Sequence, residues 1–245
     1  MDNYLYLIIN LSAFALPLAL SFENKVNYFN RFLSLAPGFL LTFVLFIIWD
    51  VFFTKSGIWG FNKTYLIGKD LFGLPFEEWL FFICIPYSSL FIHFCKEALT
   101  PQLKLSAVVT KFAAYALTFF LLTTSFLNLD NYYTASALSL AAILIGISYL
   151  RLPELLGSFL VSYIFILIPF FIINGILTGS FILNEIVWYN DSHNLGLRIG
   201  TIPFEDIFYG FSLLFLPLYI CFPAKILLQL KYLKYKIIAQ PFHQD

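Results

Sequence analysis

The sequence predicts an all-α polytopic membrane protein of about seven transmembrane helices, arranged as two parallel three-helix repeats joined by a linker helix. Composition, a series of apolar runs and an internal repeat predict it. Of the 245 residues, 60% are hydrophobic and 11% charged, whereas a soluble domain carries about one quarter charged residues to cover its surface. The 31 Phe and 15 Tyr exceed what a water-facing surface tolerates. Lipid is therefore the expected solvent for most of the chain.

A helix needs about 20 predominantly apolar residues to cross the hydrocarbon core. Seven runs meet that need, at 4–22, 32–53, 76–95, 106–126, 132–150, 155–177 and 205–228. They divide the chain into a first three-helix repeat at 1–98, a linker helix at 99–128, a second repeat at 129–230 and a basic tail at 231–245. The first run follows Met1-Asp2-Asn3, without the basic region and small-residue cleavage site of a signal peptide, and reads as a retained helix. Lys and Arg set the orientation. Lys55, Lys63, Lys69 and Arg198 fall on the side of the N-terminus, and the other ten basic residues, four of them in or just before the tail, fall on the opposite side. The N-terminus is expected outside and the C-terminus in the cytoplasm, in a plasma (inner) membrane. Both long loops, 54–75 and 178–204, then lie at the outer face.

The repeat is visible within the chain. Pro75-Phe76-Glu77-Glu78-x-Leu80-Phe81 recurs as Pro203-Phe204-Glu205-Asp206-Ile207-Phe208, an offset of 128 positions from Pro75 to Pro203. Upstream, Thr54 and Gly57-x-Trp59-x-x-Asn62 are echoed by Thr178 and Gly179-x-Phe181-x-x-Asn184. A single linker helix makes the two triplets point the same way, and membrane binding sites commonly lie between such repeats.

The duplicated acids are the leading functional candidates. Proline at a helix start loses no hydrogen bond, and a carboxylate after it meets the positive end of the helix dipole, so one copy alone reads as an interfacial cap. Two copies with matching upstream motifs point further, because intramembrane ionisable residues tend to mark function. Neighbouring residues on a helix point about 100° apart, so only one acid of each pair can face a shared cavity. Glu77 and Glu205 are the identical pair, Glu78 and Asp206 the similar one. Asp50 and its counterpart Asn174 lie near the ends of the second and sixth runs. Arg198 offers a bidentate partner for Glu205 or Asp206. Aromatics flank the acid motifs, among them Trp59, Tyr65, Trp188 and Phe208; ring faces stabilise cations, and they also form ordinary interfacial belts.

Other chemistries find little support. Net charge is zero, which gives nucleic acid no footprint. Cys84, Cys95 and Cys221 have no metal-ligand spacing, and His93, His193 and His243 are scattered, so no metal site is expected. No Gly-x-Gly pair occurs, so the dinucleotide fingerprint and the P-loop are both absent. No cofactor is evident, and a flavin or nicotinamide would have to bind unconventionally.

The tandem Pro-Phe-Glu-Glu and Pro-Phe-Glu-Asp helix starts, the Gly57-x-Trp59-x-Phe61-Asn62 run before the first, and the Asn184…Arg198…Pro203 run before the second resemble the membrane-integral lycopene cyclase family, in its fused two-unit form. The resemblance covers nearly the whole chain apart from the linker helix and tail. It implies a carotenoid β-cyclase of the non-flavoprotein type. In that reaction, protonation of the terminal double bond of lycopene makes a tertiary cation, a neighbouring double bond closes the ring, and loss of a proton yields the β end group. It further implies a lipid-soluble carotenoid substrate in the bilayer, contact with other carotenoid enzymes, and a proton donor among Glu77, Glu78, Glu205 and Asp206. The supporting residues would be Asp50, Trp59, Asn62, Tyr65, Asn174, Asn184, Trp188, Arg198 and Phe208. Two rival readings use the same topology. One is a small three-plus-one-plus-three transporter, which would want a polar lining the chain lacks, and the other is a non-catalytic membrane scaffold, which leaves the duplicated motif unexplained.

Overall fold

A computed structural model describes residues 2–238. Its long helices are α1 (Leu5–Leu20), α3 (Ala36–Lys55), α4 (Phe76–Leu99), α5 (Ala107–Leu127), α6 (Tyr132–Arg151), α7 (Pro153–Leu177) and α8 (Glu205–Ile238). Among the described residues, seven helices are long and apolar enough to cross a membrane, and each matches one expected run to within about a turn at its start. At the C-terminal end, α8 continues through the first part of the expected tail to Ile238; 239–245 lie outside the described residues. A short helix not expected from the sequence, α2 (Tyr28–Leu33), joins α1 to α3.

Lipid exposure follows the helical period. On α5, Phe112, Phe119 and Phe126 are seven residues apart and all exposed, forming one stripe down the outer face. The opposite face of α5 lies chiefly against α6, where Ala137, Ala141 and Ala142 are fully buried and small enough for neighbouring helices to approach closely. The main core gathers Leu90, Leu138, Leu156, Phe159, Phe211 and Phe215 from α4, α6, α7 and α8.

The repeats interlock. The first and last helices of each repeat pack together, α1 on α4 and α6 on α8. Each middle helix packs more extensively on the last helix of the other repeat, α3 on α8 and α7 on α4.

The long loops contain short strands. In the first, β1 (Trp59–Phe61) is followed by a hairpin of β2 (Asp70–Leu71) and β3 (Leu74–Pro75). The second has β4 (Val187–Tyr189) and a hairpin of β5 (Arg198–Ile199) and β6 (Ile202–Pro203). β1 and β4 pair antiparallel, Trp59 opposite Tyr189 and Gly60 opposite Trp188, so a backbone ladder ties repeat to repeat. Gly60 is required there, because a Cβ would come within 3 Å of the Trp188 ring.

This register corrects one sequence expectation. Asn62 is matched by Asn190 and not by Asn184. Both Asn62 and Asn190 accept a hydrogen bond from the backbone N–H two residues on, of Thr64 and of Ser192, at 3.1 Å each, and so begin equivalent single turns. Asn184 is exposed. The second loop carries six extra residues between the helix end and its strand: Lys55 to Leu177 is an offset of 122, while Trp59 to Val187 is 128. A motif match across that insertion falls out of register.

Candidate active site

Both long loops fold back onto the start of the helix that follows them. Phe76 N–H donates to Lys69 O at 2.8 Å and Phe204 N–H to Leu197 O at 3.0 Å, which closes each hairpin just as its proline ends the strand. The first acid of each pair then turns into the loop. Glu77 Oε1 accepts from the Ile67 N–H at 2.7 Å, and Glu205 Oε1 from the Leu195 N–H at 2.8 Å. The Thr134 hydroxyl adds a second donor to Glu205 at 2.5 Å. Gly68 and Gly196, next along, both have positive φ, which glycine adopts at little steric cost. Glu77 and Glu205 are therefore buried loop anchors, each satisfying an otherwise orphaned amide.

One helical position on, Glu78 and Asp206 point the other way, into a single cavity of about 370 Å3. Asp50 of α3 lines the same space. Glu78 Oε2 accepts from the Tyr6 hydroxyl at 2.5 Å. Asp206 is held by three donors: Tyr133 on Oδ1 at 2.5 Å, then Asn174 and Tyr189 on Oδ2 at 3.0 and 3.1 Å. Asp50 Oδ1 takes the Trp59 indole N–H at 2.5 Å and the Thr54 hydroxyl at 3.3 Å, while its buried Oδ2 has no partner. Among the described residues, no three His, Cys, Asp or Glu side chains are grouped to hold a metal ion.

Aromatic rings fill the gaps between the acids. Trp59 meets Tyr133 edge-on at 5.1 Å, Tyr133 stacks on Tyr189 at 5.8 Å, and Tyr209 lies edge-on to Trp49 at 5.2 Å. Beyond them the lining is mainly apolar, interrupted by Ser12, Ser88 and Ser89, and follows α4 from Glu78 to Ile92. At 1.5 Å per residue that is about 20 Å along the helix. The cavity is thus a long hydrocarbon-like slot with its carboxyl groups near one end, drawn from both repeats.

Two groups in the second loop are electrostatically tuned. Burial pushes the Tyr189 hydroxyl well above the usual tyrosine value, and the neighbouring Asp206 adds to the shift, so it stays a donor at neutral pH. Asp191 sits below the ordinary carboxyl range, held chiefly by the Asn194 amide and then by Arg198.

Of the residues singled out by sequence, the cavity gathers Glu78, Asp206, Asp50, Trp59 and Asn174. Asn62 caps a loop turn. Tyr65 is buried in a small cluster with Tyr6 and Ile186. Trp188 covers Gly60, and Phe208 packs against the main core and Phe204. Arg198 reaches neither acid it was expected to orient. Its guanidinium pairs with Asp191 at 2.6 Å and donates to Thr201 O at 2.9 Å, because the β5 strand turns it toward the loop surface. Tyr6 and Tyr133 are cavity residues that were not singled out by sequence. A hydroxyl-bearing aromatic near the start of the first helix in each repeat, Tyr6 and Tyr133, was the available signal.

The family model described as lycopene cyclase matches residues 3–96 and 130–222, one segment for each repeat; the stretch between them holds α5. Over 108 residues the chain is 32% identical to a bifunctional lycopene cyclase/phytoene synthase of Podospora anserina, covering 42% of this chain and 18% of that protein. Over 66 residues it is 30% identical to a bifunctional lycopene cyclase/phytoene synthase of Neurospora crassa, covering 26% of this chain and 11% of that protein. The chain thus spans less than a fifth of the length of these relatives. No solved structure matches it.

Proposed function

The chain belongs to the lycopene cyclase family, and from that premise we propose that it is a lycopene β-cyclase, an isomerase that closes the linear end groups of lycopene into β rings. The observation that carries this reading is the convergence of Asp50, Glu78 and Asp206 on one end of an apolar, aromatic slot. A long hydrocarbon enters such a slot end first from the bilayer, which brings one terminal double bond to the carboxyl groups.

The reaction needs an acid, a dry wall that tolerates a cation, and a base. Asp206 has a donor-rich surround of Tyr133, Tyr189 and Asn174, which suits a carboxylate that steadies the cation and takes the final proton. Glu78 and Asp50, with fewer donors and with Asp50 Oδ2 unpartnered, are the candidates for the acid. Protonation of the terminal double bond leaves a tertiary cation. The next double bond attacks it to close the six-membered ring, and loss of the ring proton gives the β end group. Atoms and electrons balance with no redox partner, so acid and base suffice. Aromatic faces such as Trp59 and Tyr209 stabilise the cation through their ring quadrupoles. One cavity serves both ends of the substrate in turn. The distribution of Lys and Arg supports an orientation with the N-terminus and the loop end of the bundle at the outer face.

Expression in a bacterium that accumulates lycopene tests the reading. Chromatography of the pigments should show γ-carotene and β-carotene. Unchanged lycopene, with the protein folded in the membrane, would overturn it.

A further inference from the structure

Beside the slot, on the loop side, lies a second pocket of about 270 Å3 with a different character. It is lined by Glu185, Trp188, Arg198, Gly200 and Thr201, and it shares Thr178, Val187 and Tyr189 with the slot. Glu185, Arg198 and Gly200 at its rim are exposed. Thr178 and Thr201 line the pocket with their hydroxyls 2.7 Å apart, and Ser180 Oγ backs them at 2.8 Å from Thr201 Oγ1. It is also lined by Tyr189, whose hydroxyl donates to Asp206 and whose ring lies 5.9 Å from the Arg198 guanidinium carbon.

The first repeat does not carry the same groups. At an offset of 128, Tyr189 corresponds to Phe61, Arg198 to Asp70 and Thr201 to Gly73, so neither the phenol nor the threonine hydroxyl recurs. A polar opening has been built on one side of the pseudo-symmetric cavity, next to the acid with the most donors.

The cyclisation proposed above creates a need for it. Each ring closure takes a proton from one carboxyl group and leaves a proton on another. The net change is zero, but the acid must be recharged and the base discharged before the next closure, and an apolar slot filled with hydrocarbon carries no water to do it. Resting on that reading, we propose that the second pocket is a proton-exchange port, through which water reaches Tyr189 and Asp206 from the loop side while the slot stays dry. The Thr178 and Thr201 hydroxyls, backed by Ser180, order the water, and Tyr189 passes the proton to Asp206. Chains of hydrogen-bonded hydroxyls and waters suit that transfer.

Filling the port separates proton return from ring closure. In lipid vesicles carrying lycopene, Thr201→Leu should leave the first ring closure per enzyme molecule unchanged and lower later turnovers about tenfold. Thr201→Ser should behave as the parent protein. Equal loss in both phases, or no loss in either, overturns the port. A second measurement needs no cyclisation and so separates the port from the cyclase reading. In a background with Cys84, Cys95 and Cys221 changed to alanine, Asp206→Cys should react with a small water-soluble cationic thiol reagent at least about tenfold faster than Glu78→Cys. Adding Thr201→Leu should slow that reaction. Equal reactivity at the two positions, or no effect of the filled pocket, overturns the proposal whether or not the protein cyclises lycopene.

Discussion

The two repeats begin their last helices with nearly the same residues and use them differently. Glu77 and Glu205, identical in type, both hold a loop amide, at 2.7 and 2.8 Å. Glu78 and Asp206, which differ, both face the cavity, the first with Tyr6 as its donor and the second with Tyr133, Asn174 and Tyr189. The first helices differ as well. α6 is covered by α5, whereas Ile8, Leu11 and Leu16 on α1 face outward. Identity between the copies therefore marks the local folding of the loop, which both halves must solve in the same way. Divergence falls at the cavity, where the two acids have different sets of donors. The crossed packing of α3 on α8 and α7 on α4, with the β1–β4 ladder, means that neither repeat encloses the cavity alone.

The largest test of this comparison is on activity. Glu78→Gln and Asp206→Asn preserve shape and remove the ionisable group, and each should lower ring formation about 100-fold or more, the usual scale for a lost acid or base. Pigment assays on membranes with matched protein levels would check it. Parental activity in both variants would return attention to Asp50. Next in size is stability. Glu77→Ala orphans the Ile67 amide and should cost about 2 kcal/mol, while Glu205→Ala orphans both the Leu195 amide and the Thr134 hydroxyl and should cost about 3. Thermal unfolding in detergent reads the difference, and activity per folded molecule should stay within a few-fold of the parent. A large loss of activity at unchanged stability would erase the division between anchor and site.

Gly60→Ala tests the ladder that joins the halves. The new methyl meets the Trp188 ring, and overpacking of that kind costs about 1–3 kcal/mol. Trp188→Ala in the same chain should recover most of the loss in thermal midpoint. The smallest expected effect belongs to the second loop alone. The folded value of Asp191 is depressed, so its stabilisation is present above the unfolded carboxyl value of about 4 and is lost as pH falls through the folded value. The thermal midpoint should be flat from pH 8 to 5 with respect to this pair and fall only below about pH 4. Arg198→Gln should weaken that dependence without removing it, since the Asn194 amide remains, at a cost below about 1 kcal/mol, because the pair is largely exposed.

Much of this was legible in the sequence. Seven apolar runs became seven helices because a span needs a fixed length of apolar residues, and length and hydropathy are written locally. The 128-residue offset from Pro75 to Pro203 was also legible, and it carries the hairpins, the single turns and the strands with it. The loop match was not, because six inserted residues shift Asn184 away from Asn62 and only backbone hydrogen bonding identifies Asn190 as the equivalent. The fate of Arg198 was hidden for a similar reason: a strand of two residues set its direction.

By itself the sequence determined that two acid pairs start two equivalent helices, and that one member of each pair faces away from the other. That follows from the 100° step of the helix. Only the tertiary structure decided which member faces the cavity. The choice depends on where the folded-back loop leaves an amide without a partner and where α1, α3, α6 and α7 leave a space, and these are distances between segments far apart in the chain.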